Sequence, residues 1–135
     1  MIDGKNIVVV DDSIVRGNSS MSIIRTLRAA GAKRISMIIT YPPIRYPCYA
    51  GIDFPSQEEL LAFRHASNDL SGTEAGDNIS KIIGADYVAY NSTTNLAKAI
   101  GIPKEELCFT CSTGDYSALG IKPIFKSRKQ MKGED

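Results

Sequence analysis

The stretch from Asn6 to Ser20, NIVVVDDSIVRGNSS, constrains this chain more than any other. Ile7 to Val10 is an unbroken β-branched run, the pattern of a short parallel strand covered on both faces. Two carboxylates, Asp11 and Asp12, stand at its carboxyl end. A turn containing Arg16, Gly17, Asn18, Ser19 and Ser20 follows, and then helical periodicity begins. In an open parallel sheet, ligands bind outside the carboxyl ends of the strands. A helix starting there offers free backbone N–H groups and a positive dipole end, both suited to phosphate. The local reading is a sugar-phosphate site: the turn from Ser13 to Ser20 holds the phosphate, and the two acids hold hydroxyls or a hydrated metal. The plainer alternative is a solvated strand–helix turn whose acids and serines are caps.

Further strands and helices follow, with no internal repeat. Lys5–Val10 reads as the first strand, Ser19–Ala30 as a helix with Met21, Ile24 and Leu27 on one face, and Gly31 as its stop. Arg34–Thr40 reads as a second buried strand. Strand, helix and strand of these lengths make a right-handed crossover, so the two strands are expected to be parallel. Tyr41–Pro55 is a long, irregular, proline-rich connection of the kind that is usually functional or mobile. Ser56–Arg64 reads as a short helix capped by Ser56, with Glu58 and Glu59 in its first turn. Helices over Thr73–Ile83 and Ser92–Ile100 flank a third strand, Asp86–Tyr90. Cys108 and Cys111 fall in a turn, and Ser117–Asp135 reads as a loose basic tail.

At 135 residues, 43% of them hydrophobic, the chain is long enough for one real core and too short for two ordinary ones. A net charge of +1 gives no case for a nucleic-acid partner or a membrane surface. No apolar run approaches the ~20 residues of a membrane helix, and the N-terminus lacks the pattern of a signal peptide. The expected location is the cytoplasm. There, three cysteines argue against a disulfide framework and leave free thiols or metal ligation. The Cys108–Phe109–Thr110–Cys111 spacing alone admits zinc, a redox pair, an iron–sulfur pair or coincidence. For Cys48 alone, a free thiol is the plainer reading.

Taken whole, DDSIVRGNSS resembles the phosphoribosyl-pyrophosphate motif of type I phosphoribosyltransferases, in the variant of the glutamine phosphoribosylpyrophosphate amidotransferases. Two further segments agree in the same order. PPIRYPCYAGID resembles that family's PPI…PC…GID segment, and CFTCSTGDY resembles its C-x-x-C-x-TG-x-Y segment. The resemblance runs from about Asn6 to Tyr116. It implies an α/β fold, a partial type I phosphoribosyltransferase (Rossmann-like) parallel sheet with flanking helices over residues 1–116, followed by the basic tail 117–135.

The resemblance also implies roles. Asp11 and Asp12 would contact the ribose hydroxyls and a Mg²⁺ ion, which keeps waters and binds through few carboxylates. Ser13, Arg16, Gly17, Asn18, Ser19 and Ser20 would wrap the 5-phosphate. Asn18 stands where the family commonly has Thr, so one hydroxyl donor has become an amide. Cys48, Cys108 and Cys111 would be ligands of a [4Fe–4S] cluster, whose fourth thiolate comes from a more N-terminal part of the family's chain. The implied chemistry is loss of pyrophosphate from C1 of the ribose and attack by ammonia.

The family's glutaminase domain, pyrophosphate loop and lid all precede the DDS motif, whereas five residues precede Asn6 here. The expectation is therefore a phosphoribosyl-pyrophosphate-binding part of an amidophosphoribosyltransferase-related protein of purine nucleotide biosynthesis, inactive alone. The alternative is a non-catalytic module that binds ribose phosphates or nucleotides, or a structural remnant. Two partner expectations follow. One is a separate chain carrying the N-terminal half. The other is a homo-oligomer, most simply a two-fold dimer, because the first strand would be an unprotected sheet edge.

Overall fold

The structure is a computed structural model and describes residues 1–50, 56–65 and 73–122. Strand β1 is Asn6–Asp11, helix α1 Asn18–Ala29 and strand β2 Arg34–Ile39. A 3-10 turn, Gln57–Glu59, runs into α2, Leu61–His65. Helix α3 is Thr73–Ile83, β3 Tyr87–Tyr90, α4 Thr93–Ile100 and α5 Thr110–Thr113, with 3-10 turns at Lys104–Glu106 and Ser117–Leu119.

The sheet order is β1-β2-β3, and both pairings are parallel. The register sets Ile7, Val9 and Asp11 beside Ile35, Met37 and Ile39, and sets Met37 and Ile39 beside Val88 and Tyr90. These residues line one face of the sheet, since side chains alternate along a strand. Ile24 of α1 and Ala75, Ile79 and Ile83 of α3 join the β2 and β3 members in a single buried cluster, with Ile7 and Val9 packed against it. Each large aliphatic side chain buried there is worth ~1.5–3 kcal/mol.

The other face corrects an expectation. The Ile7–Val10 run suggested a strand covered on both sides, yet Val8 and Val10 are 64% and 66% exposed and Tyr87 is 42% exposed. Both crossovers step the same way across the sheet. Right-handed connections that do so place α1 and α3 on the same face, and among the described residues little covers the opposite one. β1 is an edge strand, as expected.

Local signals explain the helix limits. Gly31 follows α1 with φ +85°, a left-handed geometry that favours glycine. Ser92 caps α4 by accepting the Asn95 N–H at 3.0 Å. The segment read as one helix over Ser56–Arg64 is instead a capped 3-10 turn followed by α2, because Leu60 is extended between them. At the start of the sheet, Asp86 accepts the Ile35 N–H at 2.6 Å and pairs with Arg28 of α1 at 2.6 Å. The backbone donor and the guanidinium hold its carboxyl below the ordinary Asp range.

Of the expected tail, Ser117–Leu119 is a 3-10 turn and the residues from 123 onward lie outside the described residues. No helix among the described residues is long and apolar enough to cross a membrane.

Candidate functional site

β1 delivers Asp11 to the carboxyl end of the sheet, where the chain turns into α1. Gly17 is the residue before α1 and has φ +85°. The first bond of the helix is Met21 N–H to the Gly17 carbonyl at 2.9 Å, so the N–H groups of Asn18, Ser19 and Ser20 lie ahead of it. No side chain caps this end, and its first turn holds no acid. The helix end is thus left with its partial positive charge uncompensated, facing a cavity of ≈ 280 Å³ lined by Asp11 and residues 13–20.

The sequence-predicted phosphate residues Ser13, Arg16, Gly17, Asn18, Ser19 and Ser20 all line this cavity, and so does Asp11, while Asp12 does not. Asp11 is half-buried and Asp12 is exposed. Their carboxylates also have different local partners. Asp11 accepts the Asp12 N–H at 2.9 Å, and Asp12 accepts the Ser13 hydroxyl at 2.9 Å. The end of β2 fixes the backbone of both: Thr40 and Tyr41 donate their N–H groups to the Asp11 and Asp12 carbonyls, each at 3.0 Å.

Residues 56–65 brace the turn from the other side. Leu61 N–H donates to the Val15 carbonyl at 2.8 Å. Arg16 pairs with Glu59, Nε to Oε1 at 3.3 Å, with Nη2 donating to Oε2 at 3.4 Å. That guanidinium, with the Ser56 N–H, holds the Glu59 carboxyl below its ordinary range. Sequence reasoning missed Glu59 and Leu61 as parts of the site. Glu59 read simply as a helix-start acid, and its partner is 43 positions away.

The two cysteine segments form one unit. The Arg45 and Tyr46 N–H groups both donate to the Cys111 carbonyl, at 2.8 and 2.9 Å. The Tyr116 hydroxyl donates to the Pro47 carbonyl, and Gly114 sits so close to the Tyr46 ring that a Cβ there would lie 2.9 Å from it. The start of the Tyr41–Pro55 connection is accordingly well packed, with Pro42, Pro43, Ile44 and Arg45 buried. The Tyr41 hydroxyl donates to the Cys108 carbonyl at 3.2 Å and lies 3.5 Å from the Cys111 sulfur. Tyr41 therefore ties the Asp12 backbone to the cysteine turn. A small core of Ile44, Leu60 and Phe63 adds to this tie, with Val15, Tyr41 and Cys111 packed against it.

Cys48, Cys108 and Cys111 are all free thiols. Cys108 is exposed on a second cavity, of ≈ 500 Å³, lined by residues between Lys104 and Leu119. The Thr110 hydroxyl and N–H lower its thiol from the ordinary value. Burial raises Cys111, and the nearby Cys48 and Cys108 sulfurs add to the rise. The three thiols share one neighbourhood. Even so, no group of three or more His, Cys, Asp or Glu residues among the described residues is arranged to hold a metal ion. A [4Fe–4S] cluster needs four thiolates, so these three cysteines would hold one only with a fourth from elsewhere.

A parallel sheet with an acid at the end of its first strand, followed by an uncapped helix N-terminus over a small polar cavity, makes an open α/β unit with its ligand site at the strand ends, the arrangement expected of a type I phosphoribosyltransferase-like fold. Comparisons with known proteins narrow this. Amidophosphoribosyltransferase 1, chloroplastic, of Arabidopsis thaliana is 47% identical over 134 residues, 99% of this chain and 22% of that protein. The amidophosphoribosyltransferase of Mycobacterium tuberculosis is 41% identical over 116 residues, 86% of this chain and 21% of that protein.

The solved glutamine phosphoribosylpyrophosphate amidotransferase of B. subtilis, complexed with ADP and GMP, superposes with a TM-score of 0.71 at 39% identity, over 86% of this chain and 24% of that one. No family model matches. Over nearly its whole length the chain is similar to one part of the amidophosphoribosyltransferases. It spans about a fifth of the length of the curated relatives it matches.

Proposed function

We propose that this chain is the phosphoribosyl-pyrophosphate-binding part of an amidophosphoribosyltransferase of purine biosynthesis. The observation that carries the reading is the uncapped, acid-free start of α1 facing the cavity at the end of β1. In this reading the N–H groups of Asn18, Ser19 and Ser20 hold the 5-phosphate, Gly17 lets the backbone come close, and Ser13, Ser19 and Ser20 add hydroxyls. Asp11 takes the ribose hydroxyls. Asp11 and Asp12 would be the residues to hold a Mg²⁺ ion. When bound, the ion neutralises charge on the pyrophosphate. The residues of the chain contribute by holding the ribose still while pyrophosphate leaves C1 and ammonia arrives. Residues 1–116 act as one unit, with 117–135 as a basic tail.

Calorimetric titration with phosphoribosyl pyrophosphate tests this reading. Binding is expected to strengthen when Mg²⁺ is added. It is expected to be weakened by Asp11→Asn more than by Asp12→Asn, since Asp11 alone of the two lines the cavity. The absence of any heat in the presence of Mg²⁺, from folded protein, would sink it. A non-catalytic ribose-phosphate or nucleotide site is the second reading, favoured by the ADP and GMP in the B. subtilis relative. It predicts nucleotide binding at least as tight as that of phosphoribosyl pyrophosphate. For the cysteine neighbourhood, the cluster reading predicts about four irons per chain in anaerobically prepared protein, once a fourth thiolate is supplied.

The open sheet face and the β1 edge carry the partner proposal. Exposed Val8 and Val10 lie beside unpaired strand groups, a surface that pairs readily with another polypeptide. We expect light scattering at micromolar concentration to give a two-fold dimer. A mass near the 14.7 kDa of one chain would remove that expectation.

A further inference from the structure

We infer that Glu59 is a positioning residue of the phosphate site, acting through Arg16. The inference rests on the phosphate reading above and adds to it a residue that lies outside the cavity. Arg16 is in the cavity wall, and Glu59 is not. Glu59 meets the guanidinium along one edge, through Nε and Nη2. This two-point contact orients the planar fork and leaves Nη1 unused by the pair. An arginine held in this way by a carboxylate outside the cavity presents its remaining donors in a restricted direction. A free arginine would have to give up rotamer freedom at the moment of binding.

The carboxylate is itself fixed. Glu59 Oε2 accepts the Ser56 N–H at 3.0 Å and lies 3.4 Å from the Ser56 hydroxyl, closing a capping box on the 3-10 turn. That turn is anchored to the phosphate loop two residues later by the Leu61 N–H to Val15 carbonyl bond. The chain thus reaches back 43 positions to set one side chain of the loop. The function fits the energetics better than a stabilising role does. The side chains of Arg16 and Glu59 are 51% and 48% exposed, and ion pairs so exposed add little to folding stability. A contact that stabilises the fold weakly can still set the direction of a ligand-binding group.

The test is a double-mutant cycle on the full chain, with ribose 5-phosphate as the probe in calorimetry. Glu59→Ala is expected to weaken binding roughly three- to tenfold, with the thermal midpoint nearly unchanged. Arg16→Ala is expected to weaken it at least as much. Adding Glu59→Ala to Arg16→Ala should change nothing further, because Glu59 has no one left to position. Glu59→Gln, which keeps an acceptor for the fork, should lose less than Glu59→Ala. A separate readout is the Arg16 Nε–H proton, whose exchange should be slowed in the parent and fast in Glu59→Ala.

Binding that tightens in Glu59→Ala would show Glu59 to be a competitor for Arg16 and overturn the inference. So would equal losses from Glu59→Ala in the parent and Arg16→Ala backgrounds, which would mean a role through the fold. A parent that binds no ribose 5-phosphate would overturn the phosphate reading and this inference together, whereas a binding parent with an indifferent Glu59→Ala overturns this inference alone.

Discussion

Replacing Gly76 with alanine should destabilise the chain by about 3 kcal/mol or more. Gly76 is inside α3, where alanine would ordinarily gain ~1 kcal/mol over glycine through helix propensity. Here the helix backbone lies directly on β3. A Cβ on Gly76 would be 1.9 Å from the Val88 carbonyl oxygen and 3.0 Å from its carbon. Those atoms are sheet backbone and cannot swing aside like a side-chain tip. The helix would have to rise, and Ala75, Ile79 and Ile83, all buried against the sheet, would lose their contacts together. Urea unfolding of the parent and the variant measures the difference. A midpoint raised as propensity alone dictates would mean that α3 does not approach β3 so closely.

Gly17→Val is expected to have its largest effect on the ligand. At φ +85° a side chain is strained by roughly 1–2 kcal/mol, and more when β-branched. The added Cβ would also meet Leu61 Cδ2 at 2.8 Å. Leu61 is the residue whose N–H holds the Val15 carbonyl, so relieving the clash disturbs the brace as well as the turn. The N–H groups of Asn18, Ser19 and Ser20 then lose their common direction. We expect phosphate affinity to fall by at least tenfold, equivalent to ~1.4 kcal/mol, in a protein that still folds. Titration of the folded variant with ribose 5-phosphate, its fold checked by circular dichroism, decides the matter. Binding equal to that of the parent would place the phosphate elsewhere.

Both glycines bear on what could be read ahead of the structure. Gly17 was legible: it stands between a strand ending in acids and a serine-led helix, where a close backbone approach is needed. Gly76 was not, since a glycine inside a helical pattern carries no mark of what lies against it.

The same division runs through the chain. β1, β2, the helix ended by Gly31 and the helix capped by Ser92 follow from residues within a few positions of one another. So does the candidate site, whose predicted residues at the end of β1 and in the turn all line one cavity except Asp12. Propensities, caps and turns act over that range, and a single sequence states them outright. The open face of the sheet, the separation of Asp12 from the cavity, the Glu59–Arg16 pair and the Tyr41 tie from Asp12 to the cysteine turn were decided by tertiary structure. Burial of Val8 and Val10 depends on which side both crossovers place their helices. The partner of Arg16 and the reach of Tyr41 depend on how segments 43 and 70 positions apart are brought together by the sheet and the small core beneath the turn. Such contacts are set by topology and packing, to which the neighbouring residues in the chain hold no key.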